Sequence, residues 1–330
     1  MQATEIKSLA KDLGADQVGI IGADTLEAFP PDPRWPQTPG RISPHSKSVI
    51  VLGKQIPSGA FRLRMGTADR YQNNLVIRRI ERIAAALSAS LEERGHPTFT
   101  VITNETDWSL KRGTYGYLST RHLAAEAGLG TIGLNLNLVT PEFGSRVQFA
   151  AVQSELELEP DQPMAEQVCV GEGCSRCSYC CPPDAVGHFS LAKRDCATCA
   201  QVYGYAQLTA HLANVMQDEN IDALDEIWTP RNLNHWLAMT RVAGCYGACM
   251  RCLAVCPVGV DYTANLAEAH SDIPEKTPEK VAKAKNFKNA RKAGAEVPGL
   301  NDYNIRWVGP DGYTGQAAKE YRKTHKRIQE

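Results

Sequence analysis

Apolar residues recur at helical spacing at Ile6, Leu9, Ala10 and Leu13, and Gly14 follows where a helix would be capped. Gln17-Val-Gly-Ile-Ile21 then reads as a strand. The continuous apolar run Ser48-Val-Ile-Val-Leu-Gly53 reads as a second, of the kind buried inside a sheet. Between them the proline-rich stretch from Phe29 to Pro44 predicts a long irregular crossing. Val76, Ile80, Ile83, Leu87 and Leu91 mark one face of a longer helix, with Gly95 behind it; Arg78, Arg79, Arg82, Glu92 and Glu93 lie mostly away from that face and read as solvated. Thr98 to Thr103 predicts a third strand, a helix begins near Thr120 and ends at Ala127-Gly-Leu-Gly130, and Arg146-Val-Gln-Phe-Ala-Ala-Val152 predicts a fourth strand. Strands alternating with helices predict an α/β layer arrangement for residues 1–160. An acidic linker, Glu155 to Pro163, leads into a second domain over 161–265, and the tail 266–330 is expected to wrap the surface or be partly mobile.

The second domain changes the chemistry. All eleven cysteines lie between Cys169 and Cys256. Bacterial two-cluster ferredoxins carry C-x2-C-x2-C-x3-C-P twice, and the cysteine before each proline crosses to the other cluster. Here Cys174-x2-Cys177-x3-Cys181-Pro182 and Cys249-x2-Cys252-x3-Cys256-Pro257 match the last three positions of that run. Structural zinc knuckles have no need of the Cys-Pro ending, and a disulfide framework belongs to small secreted domains, so two [4Fe-4S] clusters are expected. The first ligand of each run is open: Gly171 stands where a cysteine should, and Cys245 is spaced x3 from Cys249. The expected sets are Cys169, Cys174, Cys177 and Cys256 for one cluster, and Cys181, Cys249, Cys252 and Cys245 for the other. Cys180 is the rival of Cys169, and Cys196 that of Cys245. On this reading Cys180, Cys196 and Cys199 are left over as buried apolar fillers.

Length allows two domains, and a net charge of −1 argues against nucleic acid as the main partner. No apolar run approaches the roughly 20 residues of a membrane helix. The first thirty residues contain neither an export signal nor a twin arginine, so a cytoplasmic protein with no membrane association is expected.

The segment Ala127-Gly-Leu-Gly-Thr-Ile-Gly-Leu-Asn-Leu-Asn-Leu-Val-Thr-Pro-Glu-Phe-Gly-Ser-Arg-Val147, followed by Glu155-Leu-Glu-Leu-Glu-Pro-Asp161 and the two cysteine runs, resembles the cobalamin-binding signature shared by epoxyqueuosine reductases and reductive dehalogenases. Ala10-Lys-Asp-Leu-Gly-Ala-Asp-Gln-Val-Gly19 is similar to the start of the former, and the resemblance spans roughly residues 5–260. It implies an α+β protein: a nitroreductase-like α/β cobalamin-binding domain followed by a bacterial ferredoxin-like two-cluster domain. It further implies that Gly128, Leu129, Gly130, Gly133, Asn135, Thr140, Pro141, Phe143 and Gly144 border a corrinoid, and that an external one-electron donor supplies the clusters.

The resemblance leaves the substrate open. The aspartate of epoxyqueuosine reductases maps without gaps onto Thr114, and Glu105 or Asp107 would need an insertion to serve. Tyr115 and Tyr117, with Arg121 and His122, match the tyrosine and basic residue of a dehalogenase-like site. An organic small-molecule substrate is therefore expected, with nucleic acid unlikely. The alternatives are epoxyqueuosine reduction in tRNA, and an electron-transfer or corrinoid-carrier protein without turnover.

Overall fold

The computed structural model describes residues 1–28, 30–32, 35–63, 66–101, 106–110, 115–187, 189–201, 212–214, 216–217, 249–292 and 305–307. Helix α1 (Ala3–Asp12) and strand β1 (Gln17–Gly22) fall where the periodicity puts them, and a short α2 (Ala23–Ala28) follows. Then come β2 (Ser48–Gln55), the long α3 (Gly66–Glu92), β3 (Thr98–Thr100) and α4 (Thr120–Glu126). Two short strands, β4 (Thr131–Ile132) and β5 (Leu138–Val139), pair as a hairpin before β6 (Val147–Ser154). The cysteine-bearing part adds α5 (Arg176–Tyr179), β7 (Ser190–Ala192), α6 (Lys193–Ala200), α7 (Arg251–Ala254), α8 (Val260–Asn265), α9 (Pro278–Lys292) and β8 (Ile305–Trp307).

The main sheet runs β1-β2-β6-β3 with every pair antiparallel, Ile20 opposite Ile50 and Ile50 opposite Val152. Because side chains alternate across a strand, Ile50, Leu52, Ala150 and Val152 pack with Ile6, Ile80, Ile83, Leu87 and Leu91 under α1 and α3. Val49, Val51 and Ala151 pack on the other face with Leu123, Ile132, Leu134 and Leu138 of α4 and the hairpin. Burial on both faces explains the unbroken apolar run in β2. The result is a mixed α/β protein in three layers. β3 covers Thr98–Thr100 of the strand expected to reach Thr103, and Ile102 and Thr103 lie outside the described residues.

The stretch Glu155 to Pro163 does not behave as a linker. Leu158 is buried, and the Asp161 carboxylate accepts the Ile20 amide at 2.8 Å and meets Lys7 Nζ at 2.5 Å, so this segment is docked along β1. The tail is also tied down in part. Lys280 Nζ of α9 donates to the carbonyls of Cys181 (2.6 Å) and Tyr179 (3.2 Å), and Lys283 pairs with Asp184 at 3.0 Å.

Arg146, just ahead of β6, joins the sheet to the second cysteine run. Its side chain is fully buried, and a buried guanidinium persists only when every donor is matched. Nε and Nη2 grip the Asp261 carboxylate at 2.6 Å each, Nη1 donates to the carbonyls of Cys256 (2.7 Å) and Leu253 (3.3 Å), and Nη2 also donates to Val258 O (2.6 Å). Arg146→Met would leave a buried carboxylate and three carbonyls without these donors. We expect a loss of about 3–5 kcal/mol in a denaturant melt. Wild-type stability in that variant would show that the clamp is not needed.

Candidate metal and cofactor site

The described thiols gather around two cavities. Cys169, Cys174 and Cys177 of the first run line one of about 400 Å³ together with Cys256, the cysteine before Pro257 in the second run. Cys181, the cysteine before Pro182, lines the other, of about 970 Å³, with Cys249 and Cys252 of the second run. Each Cys-Pro cysteine thus sits with the other run's thiols. Cys196 and Cys199, expected to be fillers, line the second cavity as well, because one turn of α6 puts positions i and i+3 on the same face. Cys180 packs away from both, against Val255 and Ile273. Cys245 lies outside the described residues. Among the described residues no three His, Cys, Asp or Glu side chains converge tightly enough to hold a single metal ion.

The two runs fold alike. Each forms a single helical turn, α5 or α7, that carries the middle cysteine, Cys177 or Cys252. A proline follows three residues after each turn and prevents its extension, so the last cysteine leaves the turn toward the neighbouring run. Arg176 fastens the turns together: Nε donates to Val255 O at 3.0 Å, and Nη2 reaches the Tyr262 hydroxyl at 3.0 Å and the His270 carbonyl. Arg251 makes a bidentate pair with Glu275 at 2.7 and 2.8 Å.

Burial pushes the thiols of Cys169, Cys174, Cys177, Cys181, Cys249 and Cys252 above the ordinary cysteine value; the charge of neighbouring cysteines pushes all but Cys181 the same way, and Asp184 does so for Cys181. Crowded thiolates at this depth need a cationic group among them, which is the chemistry a metal cluster supplies. Amides already point at the sulfurs. Gly171 N donates to Cys169 Sγ at 3.4 Å and Ala185 N to Cys181 Sγ at 3.3 Å.

The segment expected to border a corrinoid lies directly on these thiols. Asn135 lines both cavities, and Asn135 Nδ2 donates to Cys252 O at 3.4 Å. The glycines, however, face protein. A Cβ on Gly130 would overlap the Val139 carbonyl across the hairpin, one on Gly133 the Val139 side chain, and one on Gly128 the Gln162 carbonyl. Gly144 has φ +56°, and a Cβ there would strike Val258 O of the second cysteine loop. Thr140 is buried and its hydroxyl accepts the Phe143 amide at 3.1 Å, closing the turn in which Pro141 is exposed; Leu129 packs at the edge of the core. What remains for a cofactor is the polar wall of the larger cavity: Asn73, Arg121, Asn135, Asn137 and Gln148. None of these except Asn135 and Arg121 was singled out from sequence; their spacing from 73 to 148 offered no local signal.

Of the candidate catalytic residues, Arg121 lines the larger cavity and donates to Leu136 O at 2.5 Å. Tyr115 is buried, packs tilted against Trp35 with ring centroids 6.0 Å apart, and donates its hydroxyl to Asp32 at 3.0 Å. Tyr117 is half-buried, and His122 Nδ1 meets Ser119 Oγ at 2.6 Å. Asp107 pairs with Arg41 at 2.7 Å; burial raises its carboxyl, but hydrogen bonds from Ser109 and Arg41 outweigh that and hold it below the ordinary range. Thr114 and Glu105 lie outside the described residues.

No family model matches the chain. An epoxyqueuosine reductase of Bacillus subtilis is 27% identical over 209 residues, covering 55% of this chain and 50% of its own length. A tetrachloroethene reductive dehalogenase of Desulfitobacterium hafniense is 30% identical over 142 residues, 41% of this chain and 21% of its own. The chain is homologous to both groups of reductase. It spans about half the length of the epoxyqueuosine reductases it matches. The fold is shared with a catabolic reductive dehalogenase in complex with 3-bromo-4-hydroxybenzoic acid, at TM-score 0.50 and 17% identity over 87% of this chain and 36% of that one. These relatives are oxidoreductases. They also correct one expectation, that nucleic acid is an unlikely partner. Epoxyqueuosine reductases, the tRNA-acting alternative above, are among the chain's relatives by sequence. That expectation rested on the net charge of the whole chain, which says nothing about a local surface, and on Thr114 in the place of the aspartate, which lies outside the described residues. No helix among the described residues is long and apolar enough to cross a membrane.

His270 sits where the two runs meet. Its Nε2 lies 3.0 Å from Phe61 O and Nδ1 3.4 Å from Arg251, an arrangement that suits the neutral ring donating from Nε2 and accepting at Nδ1. Burial lowers its pKa; the Phe61 carbonyl opposes this, while Arg251, Arg176 and Arg146 add to it. With the folded value below the unfolded one of about 6.5, the unfolded chain binds the extra proton, so stability is full above that pH and falls as pH drops below it. Denaturant midpoints between about pH 7 and 5 should fall in the wild type and fall less in His270→Gln. Identical slopes would remove His270 as the cause.

Proposed function

We propose that the protein is an iron-sulfur, corrinoid-dependent reductase. On this reading residues 1–160 form a nitroreductase-like cobalamin-binding domain and 161–265 a ferredoxin-like two-cluster domain, followed by a C-terminal tail over 266–330. The observation that carries the reading is the exchange of Cys-Pro cysteines: Cys256 among first-run thiols and Cys181 among second-run thiols. That exchange is the mark of a two-cluster ferredoxin unit.

One cluster would be held by Cys169, Cys174, Cys177 and Cys256. The other would be held by Cys181, Cys249, Cys252 and one further thiol; Cys196 and Cys199 in the cavity now stand beside Cys245 as candidates. A corrinoid carries carboxamides around its rim, and the amide wall formed by Asn73, Asn135, Asn137 and Gln148 offers matching donors and acceptors opposite the thiols. When bound, these groups supply one-electron relay and a strongly reducing metal centre. The chain's own part is to keep the thiols out of water, to present Arg121 as a fixed cation to an anionic substrate or product, and to provide a proton. Since Tyr115 Oη is directed to Asp32, Tyr117 Oη is the better candidate for that proton.

Protein purified without oxygen should contain about eight iron and eight acid-labile sulfides per chain, and Cys252→Ala should lose about half of each. Stoichiometric zinc with no sulfide would overturn the cluster reading. Hydroxocobalamin should remain bound through gel filtration, and its loss would overturn the corrinoid. Turnover by the loaded, reduced protein is then compared on an epoxyqueuosine-modified tRNA stem loop and on a halogenated phenol. Activity on neither would leave an electron carrier in place of a reductase.

A further inference from the structure

The turn between β4 and β5 touches a thiol of each cavity. Leu134 N donates to Cys169 Sγ at 3.5 Å, and three residues later Asn137 Nδ2 donates to Cys252 Sγ at 3.8 Å. The turn is rigid by construction. Gly133 N donates to Asn137 O at 2.8 Å, Leu136 N donates to Gly133 O at 2.9 Å, and Leu136 is held at φ +61°. Asn135 Oδ1 accepts the Asn137 amide at 3.1 Å, which fixes the backbone from which the Asn137 side chain reaches out. Leu134, Leu136 and Leu138 anchor the whole turn in the core beneath the sheet.

Hydrogen bonds to cluster sulfurs are one of the levers that set reduction potential. A donor stabilises the form with more negative charge on sulfur, which is the reduced one. The two contacts differ in kind: the one at Cys169 is a backbone amide that any residue supplies, whereas the one at Cys252 depends on the side chain. We propose that this turn sets the reduction potentials of the two clusters relative to each other, with Asn137 as a positioning residue that raises the potential of the cluster bound through Cys252. The proposal rests on the two-cluster reading and adds to it a residue that has no part in holding iron.

The test is a dithionite titration of the full chain, purified without oxygen and followed by electron paramagnetic resonance, in which each cluster takes up one electron and no bond is made or broken. Asn137→Leu, close in size and without a donor, should lower one midpoint by about tenfold in the reduction equilibrium, about 59 mV for one electron, and leave the other in place. Asn137→Asp, which sets a negative charge beside Cys252, should lower it further, and Asn137→Gln should recover part of the shift. Iron and sulfide should stay at wild-type values throughout. If Asn137→Leu fails to retain iron, the Asp and Gln variants decide by the same readout. Full clusters with unmoved midpoints, or an equal shift of both, would overturn the role of Asn137 and leave the cluster reading standing. Wild-type protein without sulfide would overturn both.

Discussion

The arrangement depends on one buried cation. Arg146 stands just past the Thr140–Gly144 turn, enters the interior with no solvent exposure, and among the described residues is neutralised by Asp261, 115 positions away in sequence. A lone buried guanidinium or carboxylate costs several kcal/mol, so neither residue is tolerable without the other. The remaining donors fall on the carbonyls of Leu253, Cys256 and Val258, which form the loop that carries the last cysteine past the first run. The position of Cys256 among first-run thiols is therefore a consequence of how the sheet layer begins β6. Gly144 belongs to the same contact, since its missing side chain lets Val258 O approach the turn.

That gives two motifs a different physical meaning from the one their chemistry suggested. By resemblance, the glycines of Ala127-Gly-Leu-Gly130 and of Thr140–Gly144 are expected to border a corrinoid. Their open faces are filled by Gln162, Val139 and Val258, so the first requirement they meet is close packing of the chain on itself. Backbone is brought so near that the following residues, Leu134, Asn135 and Asn137, land on the cysteine cavities. The segment still serves the site, but through the residues between its glycines.

The layers were legible because their signal is local. An unbroken apolar run identifies β2, period 3.6 identifies α3, and the two Cys-Pro endings identify the paired runs from spacing alone. What stayed hidden depends on distant partners. Arg146 read as the first residue of a strand, since nothing near it in sequence announces Asp261. The acidic stretch before the cysteines read as a linker because its anchors have distant partners: Leu158 N donates to Ser48 Oγ, and Asp161 finds Lys7 and the Ile20 amide at the other end of the chain. Cys199 matched no ferredoxin spacing, and only the seating of α6 brings it, together with Cys196, to the cavity that Cys252 lines.

The thiol cavities carry a tension that bears on folding. Burial and neighbouring cysteines both resist ionisation of these thiols, yet metal ligation requires thiolates. Without a cationic centre the two runs bring together groups that gain little from one another, and the clamps at Arg146, Arg176 and Lys280 must hold them unaided. With metal bound, ligation releases the protons and adds its free energy to the same contacts, so cluster assembly and the docking of the two runs become one equilibrium. Because each run lends a cysteine to the other's cavity, neither cavity can be completed while the runs are apart. The exchange that makes the unit recognisable in sequence is also what makes its folding all-or-none.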